Sequence, residues 1–327
     1  MKRALFIIVG LLFFLLFFVM NTTWLLDLWT PLIFEKQFRG FTLQSYNFEG
    51  QSYQFPHSIK IKNGKFVIVH KRKVYNAEFQ EMTLYDVFNS LLSTHQIKFS
   101  IKGLDINWEG GSLKGMEPKL VLAFEDFIFK KVNGIVSTKE FTFGPYVATN
   151  IYARIKGDKT QIQIFEITAD CYEGKMQGQV MVSTEPYLNY IIWFKNDNMN
   201  PLRLVDIYSD IFKNVDGKVT GALRIGGDAS RLNILVLNLE MSKNAKLDKA
   251  LLLALKNVAN EREAREIDAI LQTHDVLVAD EAYVQLRSDK GNNLNVILGI
   301  SSRQDNFYFK KVVPSCYEDI LPVLLKK

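Results

Sequence analysis

The sequence predicts a mainly β-stranded protein with a few helices, placed behind one N-terminal transmembrane helix. Three observations predict this fold class. Residues 4–20 carry no charge, aromatic residues are abundant with 24 Phe and 13 Tyr, and many later segments alternate apolar and polar residues with a period of two. Aromatic enrichment and alternation are typical of strands with one buried face, and the short intervals between them favour antiparallel pairing.

Length and charge limit the classes of function. The chain has 327 residues, with 40 Lys and Arg against 35 Asp and Glu, and a net charge of +5. So small a surplus is not typical of a nucleic-acid-binding protein, and we expect no nucleic-acid partner. The basic run at residues 71–73 is interpreted as solvated surface. The two cysteines, Cys171 and Cys316, form either one long-range disulfide or two separate thiols, and the sequence favours separate thiols.

Residues 4–26 predict a membrane-spanning helix. Such a helix measures about 34 Å, which exceeds the roughly 30 Å hydrocarbon core of a bilayer. Lys2 and Arg3 precede it, which favours a cytoplasmic N-terminus. The residues expected to anchor the chain in the membrane and at its far interface are Leu5, Phe6, Ile7, Leu11, Phe14, Phe17 and Trp24.

The alternative for this segment is a cleaved signal peptide. A cleavage site needs small residues in an Ala-x-Ala pattern, and residues 19–24 offer none. The sequence therefore favours a retained anchor, and under either interpretation the remaining chain lies outside the cytoplasm. No second apolar stretch of about 18 residues follows, which predicts a single pass.

The alternation predicts particular turns and irregularities. Asn63-Gly64 separates residues 59–61 from residues 65–70, which predicts a hairpin turn. Within residues 162–171 the apolar phase slips by one residue at Phe165, which predicts a β-bulge. Alternation is clearest from residue 150 onward, and the closely spaced strands there favour an antiparallel meander.

Three segments predict helices between the strands. One begins at Thr83, and a second begins at Pro201, where proline suits the first helical position. The longest covers residues 244–271, with an apolar stripe in its first half and closely spaced opposite charges in its second half.

Residues 156–241 contain a set of turn and strand motifs. A strand over 162–171 leads to the turn at residues 172–175, and Gly178 follows; residues 199–204 begin a short helix, and residues 216–227 read DGKVTGALRIGG. This stretch of about 86 residues, together with the anchor, resembles the AsmA-like family of bacterial envelope proteins. The predicted organisation is then a short cytoplasmic end at 1–3, an anchor at 4–26, a β-rich half at 27–150, an AsmA-like β repeat at 151–243, and a long helix with C-terminal strands at 244–327.

The resemblance implies an elongated, curved antiparallel sheet folded into an open trough with an apolar groove. It implies a periplasmic protein of the bacterial inner membrane that takes part in lipid transport or outer-membrane biogenesis, with phospholipid acyl chains as partners. The alternative is that the same apolar residues pack as an ordinary core between two layers. The residues expected to line the groove are Ile162, Ile164, Val180, Val182, Val219, Leu223, Ile225, Leu235, Leu237 and Leu239.

The sequence contains no motif that predicts enzymatic chemistry. The four histidines lack metal-ligand spacing, and no nucleophile elbow, phosphate loop or dinucleotide fingerprint is present. We therefore expect no catalytic residues, no metal and no cofactor. A second hypothesis for function is an anchored scaffold that binds other envelope proteins through an exposed edge strand or the helix at 244–271, without transporting lipid.

Overall fold

The computed structural model describes residues 41–54, 58–70, 72–86, 95–125, 128–144, 146–183, 189–200, 215–228, 232–257, 259–273, 276–288 and 293–316, with Asp27, Thr30 and Pro31. The anchor predicted at 4–26, with all seven of its named residues, lies outside the described residues, as does the helix predicted from Pro201. Among the residues that are described, no helix has the length and apolar character needed to cross a bilayer.

The chain divides into two compact units. The first contains residues 1–144 and 150–159, and the second contains residues 145–149 and 160–327. Strands of the first unit pair in the order β1-β2-β3-β4-β6-β7-β8, and β5 pairs with β3 and β6. The bounds are β1 Phe41–Gln54, β2 Ser58–His70, β3 Lys73–Tyr85, β4 Gln96–Lys102, β5 Leu104–Trp108, β6 Gly111–Glu125, β7 Ile128–Phe143 and β8 Tyr146–Asp158, the last of which begins within the second unit.

The second unit contains the other strands and two helices. Its main sheet has the order β9-β10-β11-β13-β14-β17-β18-β19, and a separate sheet has the order β12-β15-β16. All pairs with a defined register are antiparallel, which confirms the predicted fold class of a mainly β protein with a few helices. The bounds are β9 Gln161–Cys171, β10 Gly174–Ser183, β11 Asn189–Met199, β12 Val215–Asp216, β13 Val219–Asp228, β14 Leu232–Met241, β15 Ala245–Asp248, α1 Lys249–Lys256, α2 Glu261–Thr273, β16 Val276–Ala279, β17 Glu281–Ser288, β18 Asn293–Ser302 and β19 Phe307–Cys316.

The β-bulge predicted in residues 162–171 is confirmed. Gly178 pairs with Ile167, whereas Val180 pairs with Ile164, so β9 carries one extra residue between these two pairs. Glu166 lies in the bulge with a φ of 50°. The extra residue returns the apolar side chains before and after it to the same side of the sheet, which is why the sequence shows a phase slip there.

The hairpin predicted at Asn63-Gly64 is wrong, because β2 continues through both residues. Gly64 pairs with Phe48 on one side and with Phe79 on the other. A Cβ atom on Gly64 would lie 2.2 Å from the Phe79 ring, so the glycine accommodates a ring and does not reverse the chain. The reversal comes between His70 and Lys73, which pair across the turn, and Arg72 lies in this turn with a φ of 67°.

The helix predicted over 244–271 is wrong as a single element, because a strand and two helices occupy that stretch. Residues up to Asp248 form β15, and the Asp248 carboxylate then caps α1 by accepting hydrogen bonds from the backbone N–H groups of Ala250 and Leu251. Asn260 caps α2 through the N–H of Glu263 at 2.9 Å, and the Glu263 carboxylate accepts from the Asn260 N–H at 2.7 Å. This reciprocal capping box begins a new helix.

The helix predicted to begin at Thr83 is also wrong at its start. Thr83 and Leu84 belong to β3, where they pair with Ser100 and Phe99 of β4. Residues 87–91 of that prediction lie outside the described residues. Pairing on both sides of β3 outweighs the local helical spacing, because a central strand satisfies its backbone groups through both neighbours.

The largest buried cluster lies in the second unit. We call the small sheet β12-β15-β16 with α1 and α2 the cap. Leu252, Ile267 and Leu277 of the cap are fully buried and pack with Ile300 and Phe309 of the main sheet. The cap therefore forms an ordinary two-layer core with one end of this sheet.

Candidate functional site

One side of the main sheet in the second unit is almost entirely apolar. Successive register pairs form a row across five strands, from Ile164 through Val180, Ile192 and Ile225 to Leu235. Paired residues point to the same side of a sheet, and alternate residues along a strand share that side. We call this side the apolar face. All ten residues predicted to line a groove lie on it: Ile162, Ile164, Val180, Val182, Val219, Leu223, Ile225, Leu235, Leu237 and Leu239.

Burial differs along the apolar face. Val219 is 3% exposed and pairs with Met241, which packs on the cap cluster. Leu235 is 1% exposed and packs with Leu286 and Leu294 in a separate cluster. At the other extreme Ile162 is 40% exposed, and the remaining seven predicted residues are half-buried. The face is therefore closed at Val219 and at Leu235, whereas the other eight predicted residues keep part of their surface in contact with solvent.

Several residues of the apolar face were missed from the sequence. Ile192 and Phe194 of β11 lie at its centre, between Val180 and Ile225 and between Gly178 and Leu223. Residues 190–194 read YIIWF, an apolar run without alternation, so the sequence carries no signal for their side and only the strand register assigns it. Leu286 and Val296 extend the face towards β18.

A glycine under an aromatic ring shapes the centre of the apolar face. Gly178 pairs with Phe194, and a Cβ atom on Gly178 would lie 2.2 Å from the ring and 2.7 Å from the Trp193 carbonyl oxygen. The Phe194 ring therefore lies over the glycine and covers the backbone there. This packing gives an unbroken hydrocarbon surface where a side chain is missing.

The first unit has an apolar side of its own. Phe48, Ile61 and Phe79 form a buried cluster, and the rings of Phe48 and Phe66 meet edge to face with centroids 5.5 Å apart. The described residues between 41 and 144 form only strands and turns, so among them no second layer covers this side. The partly buried residues that surround the cluster are Tyr46, Ile59, Phe66, Met82, Ile101 and Leu104.

The opposite side of the first unit is polar. Lys65 faces Glu78 across β2 and β3, and Lys114 faces Glu140 across β6 and β7, with 2.6 Å between Nζ and Oε1 in the second pair. The hydrogen bond and charge of Glu140 raise the pKa of Lys114. Exposed cross-strand pairs of this kind contribute little to stability, but they keep this side solvated.

Burial favours the neutral, unreactive forms of the cysteine at the end of β9 and of the tyrosine that follows it. Cys171 is a free thiol, so the disulfide alternative is not formed, and its Sγ donates to the Val147 carbonyl oxygen at 3.4 Å. Burial raises the pKa of Cys171 to about 11, partly opposed by a hydrogen bond with Asn196. Burial likewise raises the pKa of Tyr172 to about 12. A thiol held in its neutral form is a poor nucleophile.

Metal chemistry receives no support from the part of the chain that the structure describes. Within it, no group of three His, Cys, Asp or Glu side chains is placed to hold a metal ion. The candidate site consists of the apolar faces of the two units, whose side chains are chemically suited to contact hydrocarbon.

Comparison of the chain with protein-family models, with curated proteins and with solved structures gives no match.

Proposed function

We propose that this chain is a membrane-anchored, AsmA-like envelope protein that handles lipid, with acyl chains lying on its apolar faces. The observation that supports this proposal is the set of half-buried Ile, Val, Leu and Phe side chains that share one side of each unit. Val180, Ile192 and Leu223 lie at the centre of this set in the second unit. Apolar surface that stays in contact with water is unfavourable, so it favours an apolar occupant.

The free energy of burying an acyl chain on this surface is large enough for binding. Each buried methylene contributes about 0.8 kcal/mol, so about ten methylenes of an acyl chain contribute about 8 kcal/mol before the entropy of ordering is subtracted. The face offers few polar groups that could read a headgroup, so we infer that the acyl portion supplies the affinity. Selectivity among headgroups would then be weak.

The proposed setting follows from the sequence. Residues 4–26 span the bacterial inner membrane once, the N-terminus is cytoplasmic, and the β domain lies in the periplasm. The role is lipid transport or outer-membrane and cell-envelope biogenesis, without enzymatic activity. Its partners are phospholipids of the inner membrane and, as a second kind, other envelope proteins.

Site-specific photocrosslinking tests the proposal. A photoreactive amino acid replaces Val180 or Leu223 on the apolar face, and Thr168 serves as the matched control because it is exposed on the other side of β9. We expect phospholipid adducts at the first two positions and none at the control, detected by mass spectrometry of the full chain purified from membranes. Equal labelling at all three positions, or no lipid at any, would refute the lipid-handling role.

One observation favours the scaffold function as a second candidate. β19 is the last strand in the order of the main sheet, and its Tyr308 and Val312 side chains are exposed. An exposed apolar edge strand is a common surface for strand addition by a partner. Photocrosslinks from Tyr308 to proteins, combined with no lipid adduct at Val180, would support the scaffold in place of lipid handling.

A further inference from the structure

The side of the second unit's main sheet opposite the apolar face carries a recess. It has a volume of about 620 Å³, and Met181, Ile191, Trp193, Ala222, Arg224 and Val236 line it. Register pairs place Trp193 opposite Arg224, and Arg224 opposite Val236. The recess is therefore centred on β13, between β11 and β14, and it is separate from the surface proposed to hold acyl chains.

A small residue on β13 lies at the recess. Ala222 is on the same side of the sheet as Arg224, and the strands on either side present the larger Trp193 and Val236. The hollow thus results from missing side-chain volume and not from a break in the sheet.

Arg224 gives the recess a positive charge, and Arg287 lies beyond its lining on the same side of the sheet. Val236 pairs with Arg224 on one side and with Arg287 on the other, so the two guanidinium-bearing residues are two strands, or about 9.6 Å, apart at the backbone. Among the residues that the structure describes, neither arginine has an acidic partner. Lys195 on the same side differs, because it pairs with Asp197 at 3.0 Å.

We propose that this recess binds a small organic anion with a flat apolar body, such as an aromatic carboxylate, sulfonate or phosphate. Trp193 and Val236 contact the body, and Arg224 binds the anionic group through charge-assisted hydrogen bonds. The volume of about 620 Å³ lies within the range of small-molecule sites, and the lining combines apolar side chains with one charged group. A hollow of this volume accommodates one small molecule, so we infer a monomeric ligand.

Titration calorimetry of the full chain in a neutral maltoside detergent tests the proposal, with naphthalene sulfonate as the probe. We expect one saturable site. Arg224→Gln should weaken binding about tenfold, the effect of one charge-assisted hydrogen bond, and Ala222→Leu should abolish binding by filling the hollow. Arg265→Gln is the matched control, because Arg265 is exposed on α2 and pairs with Glu261 away from the recess; it should bind as tightly as the unaltered chain.

Three results would overturn the proposal. The first is unchanged affinity in Arg224→Gln, a variant that removes only surface charge and remains informative if Ala222→Leu fails to fold. The second is equal affinity for uncharged naphthalene sulfonamide. The third is Arg224-dependent retention on phosphatidylglycerol vesicles with no binding of the monomeric probe, which would make the surface a membrane contact. None of these results bears on the crosslinks from Val180, so the two proposals fail independently.

Discussion

Two neighbouring leucines in the cap provide a sharp test of its packing. Leu252 and Leu253 follow each other on α1, yet Leu252 is fully buried while Leu253 is 44% exposed. Replacing either leucine with alanine changes helix propensity by the same small amount. Any difference between the two variants therefore reports burial alone.

The expected difference follows from the buried surface. Leucine to alanine removes three carbon groups, which is about 2.4 kcal/mol of transfer free energy when all are buried. At Leu252 the enclosed cavity adds a further cost, giving about 3–5 kcal/mol. At Leu253, which is 44% exposed, water replaces the lost groups and the cost is at most about 1.3 kcal/mol. The two variants should therefore differ by about 2 kcal/mol or more.

Hydrogen exchange followed by mass spectrometry measures this difference in the full chain. Backbone amides of α1 and α2 report the free energy of opening of the cap. We expect Leu252→Ala to speed their exchange about 30-fold more than Leu253→Ala does, since about 1.4 kcal/mol corresponds to a factor of ten. Amides of β2 and β3 in the first unit serve as the internal reference.

Equal acceleration by the two variants would refute the reasoning. It would mean that the cap does not seal Leu252 against Phe309 and Ile300, with which it forms one buried cluster. The closed end of the apolar face would then have to be reassigned as open.

Three further predictions test other contacts. Burial raises the pKa of Cys171 from 9.0 to about 11, so its alkylation at about pH 8 should be about 100-fold slower than in the urea-unfolded chain. The same shift makes the free energy of unfolding depend on pH. The stability that depends on the neutral thiol is complete below pH 9.0 and is lost as the pH rises through about 11. Gly178→Ala should destabilise the chain by about 1–3 kcal/mol in denaturant titrations, because its Cβ would clash with Phe194. Lys65→Ala should cost less than about 1 kcal/mol, since its pair with Glu78 is exposed.

Local patterns in the sequence predicted the features that depend only on residues close together in the chain. Alternation placed Ile164 and Val180 on one side of the sheet, because side-chain direction in a strand depends only on position along it. The phase slip at Phe165 located the bulge of β9 for the same reason. The mainly β fold class also followed, since composition and turn spacing are properties of the chain itself.

Other features depend on residues that are distant in sequence. The turn expected at Asn63-Gly64 gave way to a continuous strand because Phe79 needs the space above Gly64. One long helix gave way to β15, α1 and α2, because pairing with β16 competes with helix formation over 245–248. No local pattern contains these partners, so no local pattern could predict the outcome.

The sequence by itself determined which side chains share a side of each alternating strand, and it predicted that those sides are apolar. Only the tertiary structure decided which of them are buried: Val219 is enclosed, Ile162 stays exposed, and a charged recess lies on the reverse side around Arg224. The physical reason is that alternation is fixed by the geometry of one strand, whereas burial depends on which other elements pack against it.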